Sequence, residues 1–267
     1  MNPIFLIIFG FIVGGYGTII GAGGGFALVP LLLILYPKES PEIITAISLT
    51  VIFFNALSGS VAYIKMKRVD YRSAFIFAAA TLPGAFIGVY CVKFITRHAF
   101  DIVFAVILAV LSLFLIIKSN GKNEDKTPAG IGAKRHMVCA DNKIYEYSVN
   151  EPLGFILSLF VGFFSSILGI GGGIIHVPAL MYILRMPCHI STATSHLMLA
   201  IMTLAAAGYH FYLGDLNGKF WLILYLSIGM IIGAQLGAKV SGKFAGSLIV
   251  KLLAGALMLV ALRLLFL

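Results

Sequence analysis

The sequence GAGGGFALVP at residues 21–30 interrupts a long apolar segment, and GIGGGIIHVP at residues 169–178 repeats it 148 positions later. Both stretches have glycine at four matching positions and end in Val-Pro. Glycine inside a helix costs about 1 kcal/mol relative to alanine, so each run marks a place where a helix can break and leave backbone N–H groups free. Two breaks at corresponding places are typical of a ligand site built from discontinuous membrane helices.

Composition places the chain in the membrane. Of its 267 residues, 60% are hydrophobic and 11% are charged, and the mean hydropathy is +1.04. These values predict an all-α integral membrane protein, because long apolar runs do not fit the short alternating strands of a β-barrel. The net charge of +9 comes from basic residues in the loops between apolar runs, where they determine topology, so it does not indicate nucleic-acid binding.

The chain divides into two homologous halves around a soluble linker. Residues 1–118 and 152–267 are the predicted transmembrane repeats, and residues 119–151 are the linker, in which 138–147 predicts a short β-hairpin. Each half has about four helical segments, the first of which is broken by its glycine run. The segments lie at about 3–36, 42–64, 74–95, 99–117, 152–184, 191–212, 220–240 and 247–266.

Two topologies fit this pattern. Eight crossings would make the repeats parallel, whereas two re-entrant first segments, turning back at the glycines, would leave three crossings per half and make the repeats inverted. The basic loop at 65–72 and the linker 119–151 lie on the cytoplasmic side in both cases, as the positive-inside rule prefers. The sequence thus predicts a multi-pass protein of the cell membrane with a cytoplasmic linker.

The polar residues within the apolar segments favour an anionic ligand. All ten acidic residues lie in loops or near segment ends, which disfavours a cation pump that relies on a carboxylate in mid-membrane. The remaining polar groups are hydroxyls, amides, glycine backbone and histidines. They supply N–H and O–H donors and the N-terminal ends of helices, which attract negative charge.

The predicted anion-binding set combines the two glycine runs with donors on segments two, six and seven. It comprises Gly23, Gly24, Gly25, Ser48, Asn55, Gly171, Gly172, Gly173, Thr194, Ser195, His196 and Gln235. The alternatives are that the glycines serve close helix packing and that the hydroxyls bond their own helix backbone. His176 is either a gating or proton-linked group or a hydrogen-bonded core histidine. No catalytic residue, metal site or cofactor is predicted.

The ordered motifs resemble the TauE/SafE family of membrane proteins, known as sulfite exporters. The resemblance rests on the paired glycine breaks ending in Val-Pro, on Ala193-Thr194-Ser195, and on small-residue repeats such as Gly229, Gly233 and Gly237. It implies transport of small sulfur-containing anions such as sulfite, sulfonates and sulfoacetate-like compounds. The first half departs from the pattern, since Ala46-Ile47-Ser48 has isoleucine in place of threonine.

The sequence therefore predicts a secondary transporter for a small sulfur-containing anion, working by alternating access with the anion at the helix N-termini of the two breaks. An anion channel with the same central site is the main alternative. An intramembrane enzyme is disfavoured because no zinc-protease or serine-hydrolase motif is present, and a structural subunit would not explain the recurring donors. The expected partners are the anion and the lipid bilayer, without nucleic acid. A homo-oligomer and a coupling proton or sodium ion stay open.

Overall fold

The computed structural model describes residues 2–119 and 132–265, and these form helices and one small sheet. A π-helical turn, Ala179–Ile183, extends α7. The helices are α1 (Pro3–Ile19), α2 (Gly25–Leu35), α3 (Pro41–Lys65), α4 (Tyr71–Val92), α5 (Arg97–Ser119), α6 (Glu151–Leu168), α7 (Gly173–Pro178), α8 (Cys188–Leu213), α9 (Phe220–Ser241) and α10 (Gly246–Leu265). The strands are β1 (Ala133–Val138) and β2 (Ile144–Val149).

Local signals explain where several helices begin and end. Asn2, Asp70 and Asn150 cap α1, α4 and α6, since each side chain accepts a hydrogen bond from a backbone N–H of the first turn. Helices α6 and α8 end at Gly169 and Gly214, both with positive φ, the conformation that favours glycine after a helix. The polar caps and glycines visible in the sequence thus set these boundaries.

The protein is an all-α integral membrane protein, as its composition predicts. Within the described residues, seven helices are long and apolar enough to cross a membrane, namely α3, α4, α5, α6, α8, α9 and α10. Helices α1, α2 and α7 with its π-helical turn are shorter. Large apolar side chains such as Ile12, Phe75 and Leu204 are exposed on the outside, where lipid would cover them.

The helices pack in pairs that cross between the two halves of the chain. Helix α1 packs on α9, α6 packs on α4, α3 packs on α8, and α5 packs on α10. Glycines allow close approach in the first two pairs, because a Cβ built at Gly233 would strike the backbone of α1 and one at Gly84 would strike the backbone of α6. Each half therefore completes its packing only with helices of the other half.

Helices α3 and α8, the second segments of the two predicted repeats, run in opposite directions. Helices α3 and α8 are antiparallel, because Gly59 contacts His196 whereas Ile52, two turns earlier in α3, packs with Leu199 later in α8. These helices correspond to each other at an offset of about 147 residues. This arrangement supports the inverted-repeat alternative, which stays a prediction together with the division into homologous halves.

The first segment of each half folds back on itself at its glycine run. Helices α1 and α9 are parallel, since Gly10 contacts Leu226 and Gly14 contacts Met230. The ring centre of Tyr36, just after α2, lies 5.5 Å from Lys219 Nζ, just before α9. Because α1 and α9 begin at the same level, α2 ends at the level where α1 begins. Likewise, in the second half, the side chain of Leu184, after the π-helical turn, lies beside Gly154 near the start of α6.

The linker packs on the basic loop at residues 65–72. Strands β1 and β2 pair antiparallel, and the Ala140 N–H donates to the Met66 carbonyl at 3.0 Å. Buried Asp70 lies at the centre of this contact, where it accepts from the Tyr147 hydroxyl at 3.0 Å and pairs with Arg135 at 3.4 Å. We call this end of the molecule the linker face. The opposite face carries the start of α3 and of α9.

Candidate functional site

The glycine runs form two turns inside the molecule. The first glycine turn, residues 20–24, joins α1 to α2, and the second glycine turn, residues 169–172, joins α6 to α7. Positive φ values recur at equivalent places in both turns, as at Gly24 (φ 87°) and Gly172 (φ 90°). A side chain with a Cβ is strained in this region, so these turns require glycine.

The two turns meet each other at the centre of the fold. A Cβ at Gly173 would strike the Gly21 carbonyl oxygen, and one at Gly25 would lie 2.6 Å from the Ile170 carbonyl oxygen. The close-packing role of glycine is therefore present at the contact between the turns. The chain brings together two backbone segments that lie 148 residues apart in the sequence.

Serines of α3 and α8 hold the turns of the opposite halves. Ser48 Oγ donates to the Gly169 carbonyl at 2.6 Å, and Ser195 Oγ donates to the Gly21 carbonyl at 3.5 Å. Both side chains are buried, and each supplies a hydrogen-bond donor to one carbonyl oxygen of a turn. The sequence predicted these serines as anion-binding donors, and in the structure their hydroxyls bond the backbone of the turns.

Apolar side chains close the space beside the turns. Ile52 of α3 and Leu199 of α8 are buried and pack together, and both lie against the positions where Gly23 and Gly171 would carry a Cβ. The two turns are thus enclosed by α3 and α8, and a ligand between them would be shielded from water on this side.

Backbone donors at the turns are not used within the fold. Within the described residues, the N–H groups of Gly24, Gly25, Gly172 and Gly173 donate no hydrogen bond to the backbone of another turn or loop. By contrast, the N–H groups of Ala22 and Ile170 bond the backbone of the preceding helices. The unused N–H groups belong to the residues at which α2 and α7 begin.

Asn55 and His196 belong to a buried network beside the first glycine turn. Asn55 Nδ2 donates to the Gly14 carbonyl at 3.1 Å and to the Met230 carbonyl at 3.3 Å. Thr18 Oγ1 lies 3.3 Å from both Asn55 Oδ1 and His196 Nε2. This network joins α1, α3, α8 and α9, so these two predicted residues lie near the site and connect helices.

The structure places two of the predicted donors away from the turns. Thr194 Oγ1 accepts from the Asp70 N–H at 3.1 Å, which brings it to the contact between α8 and the linker face. Gln235 Nε2 donates to the Ser58 carbonyl at 2.6 Å and to Ser58 Oγ at 3.0 Å, in the contact between α9 and α3. Both side chains hold helices together in this structure.

His176 is buried beside the second glycine turn together with Ser165, a serine that was not among the predicted site residues. A Cβ built at Gly172 would lie 3.2 Å from His176 Nδ1 and 3.2 Å from Ser165 Oγ. Neither polar side chain has a hydrogen-bond partner within the described part of the chain, and the same holds for the Thr192 hydroxyl on α8. A signal for Ser165 was available only in the comparison of the halves, where Gly17 stands at its equivalent position.

Comparison with known proteins identifies relatives of the whole chain. The model of the family described as sulfite exporter TauE/SafE matches residues 6–264. The chain is 33% identical over 230 residues to "Probable membrane transporter protein YunE" of Bacillus subtilis, covering 84% of each protein. A "Probable membrane transporter protein" of Methanocaldococcus jannaschii is 26% identical over 180 residues, which cover 66% of this chain and 60% of that protein. No solved structure matches the chain.

Proposed function

The chain belongs to the sulfite exporter TauE/SafE family, and we propose that it is a secondary transporter of a small sulfur-containing anion, either sulfite or an organosulfonate such as sulfoacetate. It is a multi-pass membrane transporter and not an enzyme. The anion, the mechanism and the site described below are parts of the proposal.

One observation carries the proposal, namely the meeting of the two glycine turns at the centre of the fold. The N–H groups of Gly24, Gly25, Gly172 and Gly173 are unused there, and α2 begins at its turn with the positive end of its dipole. No acidic residue of the described chain lies within these turns or the helix stretches that enclose them. Donors without a competing negative charge suit an anion.

Alternating access is the mechanism that the paired, opposed helices favour. Helices of one half pack against helices of the other half across their interface. If one half rocked against the other, the centre would open first to one face of the membrane and then to the other. Gly23 and Gly171 complete the proposed backbone site, and Ser48, Ser195, Asn55 and His196 support it. His176 is the gating or proton-linked candidate. Thr194 and Gln235 act through helix contacts in this proposal.

The proposed setting is the cell membrane, with the linker face in the cytoplasm. The basic loop at 65–72 and the hairpin lie together at this face, which supports that orientation by the positive-inside rule. The proposed partners are the anionic substrate and the lipid bilayer.

A binding screen followed by transport tests the proposal. Purified protein is heated with sulfite, sulfate, thiosulfate, taurine, sulfoacetate, acetate and phosphate, because a ligand of the native state raises the melting temperature by mass action. Uptake of the stabilising anion is then measured in proteoliposomes. A transporter exchanges labelled anion for unlabelled anion with saturation, whereas a channel conducts without such exchange.

Substitutions in the turns locate the site. Gly24→Leu and Gly172→Leu should abolish uptake without preventing membrane insertion, since a side chain would crowd the unused N–H groups and strain the backbone. Gly208→Leu is the matched control, because Gly208 is exposed in helix α8 and nothing lies within 4 Å of its Cβ position. Normal uptake by both turn variants would contradict the site.

A further inference from the structure

The two glycine turns differ in the side chains that surround them. Gly24 and Gly172 are equivalent at the offset of 148 residues and have the same backbone conformation. At Gly24, a built Cβ meets the apolar side chains of Val13 and Met230 and the Val13 backbone carbonyl. At Gly172, a built Cβ instead meets Ser165 Oγ and His176 Nδ1, each at 3.2 Å. The side chains nearest these two equivalent positions are therefore polar at the second turn and apolar at the first.

The difference follows from two positions of the sequence. Ser165 corresponds to Gly17, and His176 corresponds to Leu28. The first half has no room for a side chain at Gly17, because a Cβ there would strike the backbone nitrogen of Gly24. The second half accommodates a hydroxymethyl group at this place, so the space beside its turn is arranged differently.

Both polar side chains are fully enclosed and lack partners. Ser165 is 0% exposed and His176 is 2% exposed. Within residues 2–119 and 132–265, neither Ser165 Oγ nor either ring nitrogen of His176 has a hydrogen-bond partner. Buried polar groups are nearly always hydrogen-bonded in folded proteins, and one that lacks a partner is costly to stability. Two such groups flanking one point of the backbone indicate a place where a polar ligand binds.

We propose that Ser165 and His176 are side-chain ligands of the transported oxyanion, so that the side-chain ligands of the site lie on one side, at the second glycine turn. This inference rests on the proposed function and deepens it. The serine hydroxyl and the imidazole N–H donate to anion oxygens. The N–H groups of Gly172 and Gly173 add donors from the backbone. The first turn, where Gly24 meets the side chains of Val13 and Met230, packs against it.

The test measures binding of sulfite and of sulfoacetate by calorimetry to wild type, Ser165→Ala and His176→Leu. A hydrogen bond to a charged group is worth enough to weaken binding about tenfold or more when it is removed. The melting temperature without ligand should not fall in Ser165→Ala, because the lost hydroxyl had no partner in the protein. His176→Gln, which keeps an N–H donor, should recover part of the affinity. Leu28→Met, at the equivalent place of the first turn, is the matched control and should bind as wild type does.

The outcomes separate this inference from the proposed function. Wild-type affinity for the bound anion in both Ser165→Ala and His176→Leu would overturn the one-sided site and leave the transporter proposal intact. Equal losses in Leu28→Met and His176→Leu would also overturn it, because the two turns would then contribute alike. If wild type neither binds nor transports either anion, the proposed function itself fails, and this assignment fails with it.

Discussion

At the scale of single residues, the turns are held by hydrogen bonds from the opposite half of the chain. Ser48 bonds the carbonyl of Gly169, and Ser195, at the equivalent position of the second half, bonds that of Gly21. The first bond is short at 2.6 Å and the second is long at 3.5 Å. The equivalent serines therefore contribute unequally, because the strength of a hydrogen bond falls as its length increases.

This difference predicts unequal effects of removing the two hydroxyls. Ser48→Ala leaves a buried carbonyl without its donor and should lower the free energy of unfolding by about 1–3 kcal/mol. Ser195→Ala removes a weak bond and should cost less than about 1 kcal/mol. Thermal unfolding of the purified variants measures both, and a larger loss in Ser195→Ala would contradict the assigned geometry.

Tyr147 in the linker gives a prediction of pH dependence. Burial, together with the nearby negative charge of Asp70, raises the pKa of the Tyr147 hydroxyl above its usual value of 10.0. The folded chain therefore keeps this proton at pH values where the unfolded chain has lost it. The contribution of Tyr147 to the free energy of unfolding is complete below about pH 10 and is lost as the pH rises further. The slope is about 1.4 kcal/mol per pH unit from this group.

Melting temperatures recorded from pH 8 to pH 11 should show that loss in wild type and a shallower loss in Tyr147→Phe. The phenylalanine variant also lacks the hydrogen bond to Asp70, so its stability at pH 8 should be lower than that of wild type. Parallel curves for the two proteins would mean that Tyr147 does not titrate with the assigned environment.

The sequence alone predicted the glycines that form the turns, but it did not predict the contacts that the polar side chains make around them. The glycines were predictable because positive φ and close approach leave no other residue type. Thr194 and Gln235 were predicted beside the ligand from their residue type, yet each bonds a neighbouring element far away in the chain. Ser165 was not predicted because a serine in an apolar helix does not indicate a ligand until its neighbours in space are known.

At the scale of elements, the breaks and helices followed from local patterns, whereas their pairing did not. The glycine run of the first segment predicted the break between α1 and α2, and Pro41 and Asp70 mark where α3 and α4 begin. The packing of α1 on α9 and of α6 on α4 depends on contacts between segments more than 70 residues apart, as between Gly84 and Leu159. Helical periodicity does not carry that information.

The linker hairpin is the element whose attachment depends most on one buried charge. The Asp70 side chain is 4% exposed, and its carboxylate accepts from Ser73 and Tyr147 and pairs with Arg135. Asp70→Ala leaves Arg135 without one of its carboxylate partners and should weaken docking of the hairpin by about 3 kcal/mol, the cost of breaking a buried pair. Faster hydrogen exchange of the β1 and β2 amides measures this loss.

The same hairpin offers a matched control for that prediction. Glu146 is an exposed acidic residue of β2, and its pair with His136 is exposed on both sides. Glu146→Ala should change the opening free energy obtained from hydrogen exchange by less than about 1 kcal/mol, as for an ordinary surface pair. Equal protection in Asp70→Ala and Glu146→Ala would show that the buried pair does not hold the linker in place.

At the scale of the whole molecule, two ion pairs join the halves at the face opposite the linker. Glu39 of the first half bonds Lys219 of the second, and Lys93 of the first half lies 3.9 Å from Asp215 of the second. An Asp215 carboxylate oxygen also lies 2.7 Å from His210 Nδ1, within hydrogen-bond distance. A transporter that opens the centre toward this face by moving one half against the other must break these contacts.

Breaking one of these pairs should therefore shift the protein toward opening at that face. The Lys219 and Glu39 side chains are 21% and 26% exposed, so the pair is worth about 0.2–1 kcal/mol, and its loss should increase the open fraction by up to about fivefold. Lys219→Gln should speed thiol labelling of a cysteine placed at position 40, between Glu39 and α3. The double variant Glu39→Lys with Lys219→Glu should restore the wild-type labelling rate.

Asp101→Asn is the control, because Asp101 pairs with Arg97 within α5 of one half. The cysteine at position 40 should be labelled in this variant at the wild-type rate. An equal effect of the control and of Lys219→Gln would mean that surface charge, and not the contact between halves, sets access to the centre.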